Sequence, residues 1–262
     1  MKVERLPDSG EPFLGETDMQ NFLEKEEILL TSKLDFQGKL KTAGLFDLFM
    51  DSAAEHAEYL GVGYQDMMAH RAFWLAVRTK IRIYKTPGLQ DHVKVKTWPG
   101  KPAMVKCDRF FRLTMADGEL LAEGRTEWAA QDVDTGKILK TDAFGYPLDL
   151  APLPERVCDG PFTRFRERPD PENMLTTYTV GSRDIDTGRH MNNVAYIRML
   201  MGTFTVAQLA DMDIAEVEVS YNAACMEEET LSVYRRQDGE GWHFLVQKPD
   251  GAAAVQMAVR LR

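Results

Sequence analysis

Cysteine is scarce: the 262-residue chain has three, Cys107, Cys158 and Cys225. An odd and scattered set argues against a disulfide framework or a zinc site, and suits a reducing, cytoplasmic setting. Long apolar runs are also missing. None approaches the roughly 20 residues that a membrane span requires, and none follows Met1-Lys-Val-Glu-Arg5 as a secretory signal would. Membrane insertion and secretion are therefore not expected. Positive charge is short, with 32 Lys and Arg against 41 Asp and Glu, a net −9. That disfavours general nucleic-acid binding, although local basic patches can still steer an acidic partner. Histidine is sparse too, at five, so the setting of each one is informative.

What is present centres on Ser182-Arg-Asp-Ile-Asp-Thr-Gly-Arg-His-Met-Asn-Asn-Val-Ala-Tyr196. Asp184, Asp186 and His190 fall within seven residues, and Asn192 and Asn193 follow at once. Asn before a periodic apolar run predicts a helix start, because its side-chain oxygen satisfies an orphan N–H. Val194, Ile197, Met201 and Phe204 then step along one helical face. An acid, an imidazole and helix-start N–H groups are thus brought together, and such N–H groups favour an oxyanion on a bound carbonyl.

In chain order, residues 1–23 read as an irregular lead-in and Ile28–Phe36 as a strand. Thr42 opens a helix with the stripe Phe46, Phe49, Met50, Ala53, Ala57 and Leu60, and Gly61 is its stop. Strands are predicted at Phe73–Tyr84, His92–Thr97, Cys107–Met115 and Leu120–Asp132. Turn signals separate them at Thr86-Pro-Gly88, Trp98-Pro-Gly100 and Asp117-Gly118. Half of the twelve prolines lie in Pro147–Pro171, which reads as a linker. A strand near Thr176–Val180 follows, then a helix over 192–210 and strands at 215–224, 230–237, 242–247 and 253–261.

The order of elements therefore repeats. Sliding the second half by 150 sets Ser32 on Ser182, Gly38 on Gly188 and Phe46 on Tyr196. It also sets Phe36 on Asp186 and Leu40 on His190, so one copy reads as polar and the other as apolar. The expectation is an α+β fold of two tandem units, each a long helix wrapped by a curved antiparallel sheet, with one active centre and one apolar pocket. The expected division is 1–145, a linker over 146–174, and 175–262.

Asp186-Thr-Gly-Arg-His190-Met-Asn-Asn193-Val-Ala-Tyr196 resembles the Asp-x-Asn-x-His-Val-Asn-Asn-x-x-Tyr motif of the acyl-ACP thioesterases of plants and bacteria. Ala43–Met50, Phe73–Lys80 and Asp91–Pro99 resemble the first half of that family, and the likeness runs from about residue 25 to the C-terminus. The resemblance implies a double hot-dog fold, with the acyl chain in the N-terminal half and chemistry in the C-terminal half. The implied reaction is hydrolysis of a fatty acyl thioester on the phosphopantetheine of acyl carrier protein, with no metal or redox cofactor. Two positions depart from the family: Gly188 stands for its Asn, and Tyr221-Asn-Ala-Ala-Cys225 for its Tyr-Arg-Arg-Glu-Cys, so Ala224 replaces an acid.

Thioester hydrolysis requires a nucleophile, an oxyanion site and a proton for the leaving thiol. His190 suits the base, since imidazole titrates near neutral pH. Asp186 can orient that imidazole or activate water itself, or serve as a turn residue. Asp184 reads as structural. Cys225 reads equally as a nucleophile or as a small buried hydrophobe. Asn192 and Asn193 read first as caps and loop ties, and with Trp74 they are the candidate substrate contacts. Trp74 and Phe73 are candidate tunnel walls. Asp47, Asp51, Glu55 and His56 read as a solvated helix flank rather than a second acid–base centre. Arg78, Lys80 and Arg82, or Arg164, Arg166 and Arg168, are candidate docking patches for an acidic carrier. Alternatives are an acyl-CoA thioesterase and a non-hydrolytic acyl-thioester-binding protein. A dehydratase is disfavoured, because no Gly-Asp-x-Asn-Pro-x-His segment occurs. An internal pseudo-dimer of this kind can pair again into a homodimer.

Overall fold

The computed structural model describes residues 21–262 except Glu240, so most of the predicted lead-in lies outside the described residues. β1 spans Leu23–Ile28, α1 Thr42–Tyr59, α2 Tyr64–Ala69, β2 Ala72–Ile83, β3 His92–Pro99, β4 Cys107–Met115 and β5 Leu120–Asp132. The second half supplies β6 Met174–Thr179, α3 Asn193–Met201, α4 Val206–Ala210, β7 Ile214–Tyr221, β8 Thr230–Asp238, β9 Gly241–Gln247 and β10 Ala253–Leu261. The strands form one antiparallel sheet in the order β1-β3-β4-β5-β2-β7-β10-β9-β8-β6. Outward from the β2–β7 junction, both directions repeat the same element order. This is the expected pair of hot-dog units sharing a sheet.

Two predicted elements are corrected and one is added. The first strand ends at Ile28 rather than starting there, and Thr31–Lys33 is a 3-10 turn. The second long helix breaks after Met201, because Thr205 and Gln208 form a capping box that starts α4. That Thr-x-x-Gln spacing is a helix-start signal within the sequence itself. α2 is an additional short helix that periodicity did not predict.

The core is shared. Leu45, Phe46 and Phe49 of α1 lie in one buried cluster with Val93, Val95, Phe111 and Leu113 of its own sheet and with Val194, Ile197 and Leu200 of α3. Phe49 stacks on Phe111 with centroids 4.8 Å apart. Arg198 of α3 pairs with Asp47 of α1 at 2.6 Å. No helix among the described residues is long and apolar enough to cross a membrane.

The junction is asymmetric across its two faces. Ile81 lies opposite Val217 and Thr79 opposite Val219, all buried against the helices. Alternation puts Lys80 opposite Glu218 and Arg82 opposite Glu216 on the outer face. Proline-rich residues 147–170 cross this outer face as a strap. Lys80 pairs with Glu218 at 3.0 Å and donates to the Pro161 carbonyl at 2.9 Å. The Thr163 hydroxyl donates to Glu218 at 3.1 Å. The Phe162 ring lies against the cations of Arg78, Lys80 and Arg125, at 4.8, 5.5 and 4.9 Å. Of the expected docking patches, Arg78, Lys80 and Arg82 are therefore spent on ion pairs beneath the strap. Arg164, Arg166 and Arg168 are exposed on it.

Removing one partner of a buried ion pair leaves an uncompensated charge. Glu218→Ala is expected to lower unfolding free energy by about 3–5 kcal/mol in a denaturant titration. The double change Lys80→Met with Glu218→Leu is expected to recover most of that loss.

Candidate functional site

The duplicated loops align at an offset of 151, not 150. The 3-10 turns are Thr31–Lys33 and Ser182–Asp184. The closing bridges are Leu34 with Leu40 and Ile185 with Met191. Gly38 and Arg189 occupy the same left-handed position, at φ of 73° and 61°. Asp186 therefore corresponds to Asp35 and His190 to Lys39, so the expected contrast of polar and greasy copies is corrected. Both aspartates hold their own turn in the same way. Asp35 Oδ1 accepts from Gln37 and Lys39 N–H, and Asp186 Oδ1 accepts from Gly188 N–H at 2.8 Å. What separates the two copies is an imidazole against an ammonium.

Backbone bonds close the second turn, from Asp186 N–H to the His190 carbonyl at 3.0 Å and from Arg189 N–H to the Asp186 carbonyl at 2.9 Å. Asp186 and His190 are thereby opposed across a tight turn, and both line a cavity of about 750 Å³ between the two units. Among the described residues no hydrogen bond engages the His190 ring, and Asp186 Oδ2 likewise has none. Asp184 is structural, accepting from the Tyr178 hydroxyl at 2.8 Å and from Gly181 N–H at 2.9 Å.

Asn192 is the N-cap of α3, its Oδ1 accepting from Val194 N–H at 2.8 Å. Ala195 N–H bonds to the Asn192 carbonyl. Asn193 N–H then has no acceptor among the described residues, and Asn193 lines the cavity. The Asn193 side-chain amide has no bond among the described residues. Its carbonyl accepts from the Tyr221 hydroxyl at 3.4 Å.

Cys225 lies behind the cavity wall, its carbonyl accepting from Met191 N–H at 2.8 Å. It is fully buried in the shared core, and the cavity wall is made by its neighbours Ala223 and Ala224. Burial raises its thiol pKa, against a smaller opposing effect of the Tyr196 hydroxyl. Of the two readings of Cys225, the geometry favours the buried hydrophobe.

The walls from the first unit come from α1, α2, β2, β4 and β5. Trp74 and Phe73 both contribute. Trp74 donates to the Val62 carbonyl at 3.0 Å and packs edge-on against Trp128, Phe144 and Tyr146. Phe73 explains Gly188: a Cβ built there would stand 2.5 Å from the tip of the Phe73 ring. The space of a side chain at 188 is taken by a ring from the other unit.

The polar flank of α1 is less solvated than expected. Asp51 faces the cavity, and burial and the neighbouring Asp47 raise its carboxyl pKa. Glu55 pairs with Lys25 at 2.8 Å. His56 is fully buried beside Arg109, with 3.0 Å between its Nδ1 and the guanidinium. Because arginine only donates, Nδ1 accepts and the ring proton sits on Nε2. Burial lowers the Arg109 pKa, and burial pushes Cys107 and Tyr146 beside it up to about 12. Asp51, Arg109, Trp128 and Tyr146 all line the cavity. None was singled out as a site residue from sequence. A signal for Arg109 was present, since it shares strand parity with Cys107, Phe111 and Leu113 and so puts a charge on an apolar face.

The family model of the acyl-ACP thioesterase N-terminal domain matches residues 21–142, and that of the acyl-ACP thioesterase C-terminal domain matches 167–260. The chain belongs to the acyl-ACP thioesterase family. Oleoyl-acyl carrier protein thioesterase 2 of Arabidopsis thaliana is 22% identical over 201 residues, 71% of this chain and 54% of that protein. The palmitoyl-acyl carrier protein thioesterase of Cuphea hookeriana is 20% identical over 79% of this chain and 54% of its own length. The chain thus spans about half the length of the curated relatives it matches. Among solved structures, an acyl-ACP thioesterase from Bacteroides thetaiotaomicron superposes with a TM-score of 0.81 at 21% identity, covering 95% of this chain and all of that one. The 12:0-ACP thioesterase from Umbellularia californica gives 0.83 at 15% identity, covering 96% and 99%. At these identities the structures establish the shared fold.

Within this thioesterase fold the Gly188–Phe73 contact is directly testable. Gly188→Asn is expected to cost about 1–3 kcal/mol of stability through overpacking. Adding Phe73→Ala is expected to return most of it, read as a thermal-midpoint double-mutant cycle.

Proposed function

We propose that the chain hydrolyses the thioester of fatty acyl-acyl carrier protein, releasing the free acid and the carrier's phosphopantetheine thiol. The observation that carries this reading is the shared cavity. Its long wall is α1 and the aromatic cluster around Trp74, and Asp186, His190 and Asn193 meet it at the start of α3. The acyl chain lies along the first unit, and the thioester carbonyl lies at the turn.

His190 takes a proton from a water molecule as that water attacks the carbonyl carbon. The free Asp186 oxygen orients the water or the imidazole. Asn193 N–H, at the positive end of α3, faces the tetrahedral oxyanion. The C–S bond then breaks, and the His190 proton passes to the leaving thiolate. Water is consumed, and one acid and one thiol are produced. Cys225 packs beneath the wall and forms no acyl intermediate. The exposed Arg164, Arg166 and Arg168 are the remaining candidate contacts for the acidic carrier.

Ala224 supports a second reading. It lines the cavity where the family motif carries an acid, so a protein that binds acyl thioesters without turning them over has a structural basis. Free-thiol release from acyl-carrier proteins of eight to eighteen carbons, with matched acyl-CoAs, separates the readings. Turnover on carrier substrates is expected, and no release above background on any substrate would leave only binding.

In the same assay His190→Ala is expected to reduce kcat by about 10²–10⁴-fold. Cys225→Ala is expected to keep kcat within a few-fold of the parent. Loss comparable to the histidine variant, with the fold intact by circular dichroism, would restore the thiol as nucleophile.

A further inference from the structure

The cavity carries a charge that an alkyl chain does not explain. Arg109 is only 8% exposed and lines the wall. Buried arginines ordinarily face a carboxylate, because taking the cation out of water is costly. Among the described residues no carboxylate pairs with this one. Its Nη1 reaches His56 Nδ1 at 3.0 Å and the Thr97 hydroxyl at 3.4 Å. Its Nε and Nη2 have no protein acceptor there.

The strand register sets Cys107 opposite Trp128 and Arg109 opposite Thr126, which makes Arg109 and Trp128 diagonal neighbours on the cavity face. The Trp128 indole N–H is sealed within the wall, without a partner among the described residues, and it only donates, so it offers the guanidinium no acceptor. A plain hydrocarbon would leave Arg109 Nε and Nη2 unsatisfied and remove their water.

We propose that the cavity selects acyl groups bearing an acceptor oxygen on the chain, a carboxylate before a keto or hydroxyl group, held by Arg109. A carboxylate ranks first because a charge-assisted bond to guanidinium is the stronger. This rests on the reading that the cavity holds the acyl group, and it names the chemical class of that group.

Acyl-pantetheine amides, which cannot be hydrolysed, test it apart from turnover. One straight chain is compared with the same chain carrying a keto or hydroxyl group at successive positions, or a terminal carboxylate. Binding is measured by calorimetry on the intact protein. At least one oxygenated ligand is expected to bind about tenfold or more tighter than the plain chain. Arg109→Met is expected to erase that ratio, and Arg109→Lys, which keeps a charge but loses the planar fork, to shrink it several-fold. If Arg109→Met does not fold, the ligand series and Arg109→Lys decide. A plain chain binding as tightly as every oxygenated one overturns this inference and leaves the thioesterase reading standing. Binding of no ligand in the series overturns the acyl-cavity reading and this inference with it.

Discussion

The pairing of β2 with β7 is the constraint on which the rest of the molecule depends. It fixes the two units edge to edge, and its register decides that Ile81 and Val217 enter the core while Lys80 and Glu218 emerge on the back. A slip of one residue would exchange those faces. The strap makes such a slip costly, because the carbonyl of Pro161, the ring of Phe162 and the hydroxyl of Thr163 are matched to the cations and to Glu218 as they now stand. The same register brings α1 of one unit beside the start of α3 of the other, and the cavity exists only there. Fold stability and site geometry therefore share one cause.

Most of the fold was legible because its signals are local. Alternation and turn residues placed β3, β4, β5, β8, β9 and β10 within two residues of where they lie, and the Phe46–Leu60 stripe gave α1 with its stop at Gly61. The errors also have local causes. The run Ile28–Phe36 has strand composition, but a 3-10 turn at Thr31–Lys33 takes up its middle. The duplication was visible in the order of elements, whereas its offset was set by matching Ser32, Gly38 and Phe46 to similar residues. Backbone geometry sets it one residue later, because a left-handed position occupied by Gly38 in one copy is occupied by Arg189 in the other. Identity misled where conformation was conserved between the copies.

That single residue changes the meaning of the site. At the corrected offset the aspartate is common to both loops and holds the same turn in each, so its presence does not by itself mark an active centre. The imidazole does. His190 stands where the first copy has Lys39, in a turn whose backbone is otherwise the same. The site's polar ring was partly legible, since Asp186, His190 and Asn193 sit in one motif. Its walls were not. Asp51, Arg109 and Trp128 reach the cavity from three elements far apart in sequence, and only the closed fold puts them together.

The departures from the family pattern are best understood as changes of shape across the two units. Gly188 leaves room for a ring that comes from β2, so the absence of a side chain at 188 and the approach of Phe73 go together. Ala224 likewise removes an acid from the wall without opening the core, since Cys225 behind it stays sealed. Polar groups near the turn are thereby reduced to Asp186, His190 and the start of α3, while on the sheet wall Arg109 keeps donors that the turn does not use. On the proposed reading such a site divides its labour: bond breaking falls to a few groups at one end, and recognition of the chain to a guanidinium on β4, whose position is fixed by the sheet rather than by a loop.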